Sequence, residues 1–145
     1  MGLKRLNLIS HRGNLDGPKP TLENHPDYIG KTLRLGYDVE VDVWLKAGEF
    51  FLGHDAPQYL IKPSFLKNDK LWCHAKNLSA LEYMLENNIH CFWHESDDFT
   101  LTSRGYVWTF PNKPACSKSV LVTLRRKKIK TDCYGICTDY ILDYK

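Results

Sequence analysis

The sequence predicts an α/β protein in which strand–helix units build a reduced, helix-ringed β/α barrel with short or missing helices in its second half. Three observations lead there. Strand-like and helix-like stretches alternate through the first half of the chain, which is the pattern of parallel β-α units covered by helices. Polar, chemistry-bearing residues close several of the apolar runs. The later strands follow one another near the floor of about a dozen residues that a parallel crossover needs.

Taken in order, Leu6–Ser10 reads as a first strand ending at His11-Arg12-Gly13, followed by a turn-rich segment from Asn14 to Pro20. The stretch from Thr21 carries a helix with Pro26 in its first turn, Asn24 or His25 outside it, and Gly36 as its stop. Asp38–Trp44 alternates strictly, which sets Glu40, Asp42 and Trp44 on one face of a strand and Val39, Val41 and Val43 on the other. Lys46–Glu49 is a turn into Phe50–Leu52, a hairpin ending at Gly53-His54-Asp55. Lys70–Ala75 is a strand, and Leu78–Asn87 is a helix with apolar residues at Leu78, Leu81, Met84 and Leu85 and a cap at Asn77 or Ser79. Strands then crowd at Cys91–His94, Tyr106–Phe110, Ser119–Leu124 and Tyr134–Thr138. The segments Glu95–Gly105 and Pro111–Lys118 hold a short helix or none.

Length and composition set the bounds. With 145 residues, 43% hydrophobic and 26% charged, the chain is one globular domain with room for one active site. No apolar run approaches the roughly 20 residues that cross a bilayer. Met1–Asn7 lacks the apolar core of a secretory signal, and Leu6 argues against myristoylation at Gly2. Five cysteines, Cys73, Cys91, Cys116, Cys133 and Cys137, include no C-x-x-C pair and are odd in number. Free thiols in a reducing, cytoplasmic setting are expected, and the Cys133/Cys137 spacing does not suit zinc. A net charge of +3 does not by itself predict nucleic-acid binding. No internal repeat or low-complexity linker interrupts the chain.

Glu40 and Asp42 carry the chemistry. Like charges at that spacing repel and lose hydration unless a cation lies between them, so a divalent metal is the economical reading. Taken alone, the pattern also suits an antiparallel edge strand with a solvated acidic face. The company of His11-Arg12-Gly13 and His54-Asp55 tips the balance. In addition, His74 closes a strand two residues before Lys76, Glu23-Asn24 follow the first strand, and Thr138-Asp139 end the last.

With these six short motifs in register over nearly its whole length, the chain resembles the glycerophosphodiester phosphodiesterases, within the superfamily of phosphatidylinositol-phospholipase-C-like phosphodiesterases. The resemblance implies a TIM-like (β/α) barrel with its site at the C-terminal strand ends. It makes His11 and His54 a general acid–base pair, a role for which imidazole's near-neutral titration suits it. It puts Arg12 and Lys76 on the phosphate as catalytic and substrate-binding cations. Glu40 and Asp42 then hold a divalent ion, with Mg²⁺ or Ca²⁺ expected first. His74 stands where the family has a glutamate, which makes it the third ligand and admits Mn²⁺ or Zn²⁺. The chain is also roughly a hundred residues shorter than a barrel of about 250.

Other residues fill out this reading. Trp44, Trp72, Trp93 and Trp108 fall on strands as barrel filling. Trp93 is assigned to the core, and Trp108 either to the core or to the substrate pocket. His94-Glu95 is a surface pair near the site, His25 and His90 are turn histidines, and Asp139 orients a neighbour. Arg125–Lys130 is a charge run, ordinarily a solvated loop, on the rim that would draw in anionic diesters or rest on an acidic membrane. The expected function is hydrolysis of a small glycerophosphodiester-like or sugar-phosphate diester. The rivals are a lyase releasing a cyclic phosphate and a non-catalytic phosphate- or sugar-phosphate-binding descendant. Expected partners are a small phosphodiester and no nucleic acid, with a homo-oligomer left open in which a second copy covers bare barrel faces.

Overall fold

A computed structural model describes residues 5–144; the readings of a missing secretory signal and of Gly2 acylation fall on Met1–Lys4 and lie partly or wholly outside them. Ten strands form one mixed sheet. They are β1 (Asn7–His11), β2 (Asp38–Lys46), β3 (Glu49–Leu52), β4 (Tyr59–Ile61), β5 (Leu71–Ala75), β6 (Cys91–Phe92), β7 (Phe99–Leu101), β8 (Val107–Thr109), β9 (Ser119–Thr123) and β10 (Gly135–Thr138). Two α-helices accompany them among the described residues, α1 (Pro26–Arg34) and α2 (Leu78–Glu86).

Neighbouring strands run in the order β6-β5-β2-β1-β10-β9-β8, all parallel, with β7 antiparallel to β8 at one end. The hairpin β3–β4 extends antiparallel from the far end of β2. The sheet curls, and the Ser103 N–H reaches the Cys91 carbonyl at 2.8 Å, tying the β7 side to β6.

This corrects the expected fold. The molecule is a β-rich half-barrel, 19% helical, and not a TIM-like (β/α) barrel. The reason lies in the connections. Where a barrel places an outer helix between β6 and β8, the chain folds back as the antiparallel strand β7. The segments joining β8 to β9 and β9 to β10 are turns and irregular chain.

Two apolar layers result. On the convex side Val39, Val41 and Val43 of β2 and Cys73 and Ala75 of β5 pack against Ile29 of α1 and Ala80 and Met84 of α2. On the concave side Ile9, Trp72, Phe92, Trp108, Val120 and Cys137 from six strands fill the curve. The alternation in β2 therefore works as expected: valines face the helices, while Glu40 and Asp42 face inward and are buried.

Helix α1 begins at Pro26, with the His25 ring accepting the Asp27 N–H. The Asn77 side chain caps α2 by accepting from Ala80 N. The α2 face differs from expectation, because Leu78 and Leu85 are exposed and Ala80 and Met84 are buried. Trp93 is exposed as well, since β6 ends at Phe92 and the chain turns away before the tryptophan reaches the interior. All five cysteines are free.

His90 is not a turn histidine. Its ring lies 4.3 Å from that of Trp72, and its Nε2 meets the Thr102 hydroxyl at 2.8 Å. Burial, with a contribution from the Arg104 charge, pushes its pKa down to about 4. The unfolded chain therefore binds a proton at higher pH than the folded one. Stability should fall by about 2–3 kcal/mol as pH drops from about 6.5 to about 4, and be indifferent to this group above that window. Urea midpoints measured across the window should show this slope in the native protein and its loss in His90→Gln.

Candidate active site and metal centre

The ends of β1, β2, β5 and β10, four contiguous parallel strands, bring the candidate residues to one place. His11 closes β1. Its Nδ1 lies 2.7 Å from Asp139 Oδ1, just past β10, and its Nε2 lies 3.7 Å from Glu40 Oε1. Asp139 is fixed in turn by Asn14, whose amide donates at 2.8 Å, while the Tyr28 hydroxyl donates to Asn14 Oδ1. Burial opposes the ionisation of Asp139, but the bond from His11 and the nearby charges outweigh it and hold the carboxyl below its ordinary range. A carboxylate can only accept, so His11 carries a proton on Nδ1, and in the neutral tautomer that this selects, the Nε2 lone pair faces the site.

Arg12 adopts a left-handed backbone, φ 59°, and turns its guanidinium into the site. Its Nη1 donates to Glu23 at 3.3 Å and its Nη2 to His54 Nδ1 at 2.7 Å. Its Nε lies 3.2 Å from Asp42 Oδ2, off the axis of a hydrogen bond. Burial works against the charge, yet Glu40, Asp42 and Glu23 together hold the group more basic than usual. Because arginine always donates, His54 Nδ1 accepts and the neutral ring bears its proton on Nε2. The two histidines thus present opposite faces: a lone pair from His11 and an N–H from His54.

Gly13 sits at φ +96°, and a Cβ there would stand 2.6 Å from Tyr28 Cδ2. This is the physical content of the glycine in His11-Arg12-Gly13. Gly13→Ala should cost about 1–3 kcal/mol by forcing α1 away from the site, readable as a lowered urea midpoint.

Glu40, Asp42 and His74 bring one ligand atom each to within 4.8 Å of one another. Asn24 grips Asp42, donating Nδ2 to Oδ2 at 2.9 Å and accepting the Asp42 N–H at 3.0 Å. Glu40 Oε1 and Asp42 Oδ1 remain buried without a hydrogen-bond partner. His74 Nε2 lies 2.9 Å from the His94 carbonyl oxygen, which can only accept, so Nε2 donates and in the neutral ring Nδ1 carries the lone pair. That lone pair lies 3.1 Å from Asp42 Oδ1. Two lone pairs facing one another beside an orphaned carboxylate oxygen suit a shared cation, and a ring anchored through its other nitrogen to a carbonyl is the usual support of a ligating histidine.

The two acids differ. Burial and the Asp42 charge raise Glu40 well above the carboxylate range. For Asp42 burial is outweighed by His54 and His74, each when its Nδ1 carries a proton, and by Arg12, so the carboxyl is held well below that range. The donor set fits a divalent ion.

Lys76 stands just past β5, where its charge favours ionised Glu40. Trp108 is buried and lies one ring away from the centre: it stacks on Phe92 at 4.5 Å, and Phe92 stacks on His74 at 5.2 Å. His54 is held by the hairpin, where the Trp44 indole donates to the Gly53 carbonyl at 2.7 Å. It opens onto a hollow of about 250 Å³ lined by Arg12, Glu23, Asn24 and the His54–Gln58 turn. Larger hollows lie against the basic segment near Arg126, away from these groups.

Sequence reasoning missed three supports: Asn24 as the clamp on Asp42, Asn14 as the clamp on Asp139, and the His94 carbonyl behind His74. The Glu23-Asn24 pair carried a signal for the first. The other two are set only by tertiary contact. Among the described residues no helix is long and apolar enough to cross a membrane. Compared with protein-family models, curated proteins and solved structures, the chain matches none.

Proposed function

We propose that the chain is a metal-assisted phosphodiesterase acting on a small glycerophosphodiester-like or sugar-phosphate diester. The observation that carries this reading is the convergence of His11, held through Nδ1 by Asp139, and His54, held through Nδ1 by Arg12, on the Glu40–Asp42–His74 cluster. Six motifs in register with the glycerophosphodiester phosphodiesterases support it, and the modest hollow supports a small substrate.

Glu40, Asp42 and His74 would hold the divalent ion, which when bound polarises a phosphoryl oxygen. Arg12 has one N–H free on each terminal nitrogen to place on phosphate oxygens. Lys76 adds positive charge at the strand rim. His11 Nε2 takes the proton of the attacking hydroxyl, either water or the alcohol beside the phosphate, as the new O–P bond forms. To protonate the departing alcohol oxygen as the old P–O bond breaks, His54 must first take up a solvent proton at Nδ1 as Arg12 turns from it to the phosphate, so that the imidazolium gives up its Nε2 proton and returns to a neutral ring. Asp139 holds His11 in the tautomer this needs and stabilises the imidazolium that results.

The test is phosphorus NMR of small glycerophosphodiesters incubated with the protein and Mg²⁺, Ca²⁺, Mn²⁺ or Zn²⁺. A monoester product supports the hydrolase, and a cyclic phosphate that accumulates identifies the lyase. An unchanged diester with every ion refutes catalysis. The engagement of Arg12 by Glu23, Asp42 and His54 favours, as second reading, a phosphate-binding module without turnover.

A further inference from the structure

The charge run Arg125–Lys130 is not a free solvated loop. Arg126 turns back onto the body, donating through Nη1 to Asp143 and through Nη2 to Asp16 at 2.8 Å, with its guanidinium 4.4 Å from the centre of the Tyr140 ring. The Tyr144 hydroxyl donates to the Lys127 carbonyl. With one arginine spent as an anchor, Arg125, Lys127, Lys128 and Lys130 line a groove of about 590 Å³ between this segment, β9 and the Phe110–Lys113 turn.

Lys113 joins them, paired at 3.5 Å with Asp98, and Lys127 Nζ donates to Asn112. Among the described residues no carboxylate lines the groove. Among the described residues Arg125, Lys128 and Lys130 form no ion pair. Phe110 and Leu124 stand 47% and 40% exposed at its wall. Cations gathered against apolar walls repel one another and focus a positive field into the concavity. Pinning them there has an electrostatic cost that an external anion removes.

We propose that this groove is a second site that binds a soluble, multiply charged phosphate anion. It uses none of the residues assigned to the catalytic centre, so it stands independently of the phosphodiesterase reading. Its concavity suits a small anion wrapped by several ammonium groups better than the plane of a bilayer.

The test is an amide-resolved NMR titration of the full chain with inorganic pyrophosphate, without divalent ions. Saturable shifts should gather at residues 110–113 and 121–131. Lys128→Glu combined with Lys130→Glu should weaken binding about tenfold or more, with an unchanged melting temperature because both side chains are exposed. Shifts confined to the hollow at Arg12 and His54 would overturn the proposal, as would undiminished affinity in the double variant. Failure to titrate while the protein co-sediments with phosphatidylserine vesicles would overturn it in favour of a membrane contact.

Discussion

His11→Ala and His54→Ala should each lower kcat by about 10²–10⁴-fold, the usual contribution of a placed acid or base. His54 is half exposed and its loss leaves Arg12 held by Glu23 and Asp42, so the urea midpoint of His54→Ala should correspond to a change within about 0.5 kcal/mol. The two variants should differ in rescue. An aryl phosphodiester, whose leaving group departs without a proton, should recover most of the rate in His54→Ala and little in His11→Ala. The reverse pattern would exchange the roles drawn from the two tautomers, and full activity in both variants would remove the mechanism altogether.

Glu40→Gln and Asp42→Ala should separate what the metal ligands do for the fold from what they do for the ion. Asp42 is a buried charge set against Arg12 and clamped by Asn24, and deleting the acid leaves that guanidinium and amide without their partner at a cost of about 3–5 kcal/mol. Glu40 is held toward its neutral form by burial and by Asp42, so a glutamine of the same shape should be close to neutral in the absence of ions. In native protein an ion at 100 times its Kd adds about 2.7 kcal/mol, which raises Tm by about 5–10 °C for a domain of this size. Glu40→Gln should melt like the native protein without the ion and show no rise with it. A rise of native size in Glu40→Gln would remove the site.

Much of this site was legible because its signals are local. Three acids alternating with three valines in Asp38–Trp44 fix which side chains share a face, whatever the rest of the chain does. Pro26, Asn77 and Gly36 mark helix ends by chemistry that works over a few residues. Closure of the sheet is different in kind. The three-residue strands Tyr59–Ile61 and Phe99–Leu101 are too short to show a period, and whether a crossover carries a helix depends on packing against residues far along the chain. The barrel was therefore read from strand–helix alternation and from resemblance, neither of which fixes closure, and the half-barrel follows from β7 folding back on β8. Trp93 misled for a related reason: a tryptophan in an apolar run is ordinarily interior, but the strand stops one residue short of it.

The pairing of β1 with β10 sets the tempo of assembly. His11 and Asp139 meet across 128 residues of chain, and closing so long a loop costs entropy that no local contact returns. The imidazole thus acquires its orienting carboxylate only when β10 docks, so the centre cannot be finished before the chain from His11 to Asp139 is free to fold. Turnover should recover in step with the slowest refolding phase, lagging behind the helical circular-dichroism signal.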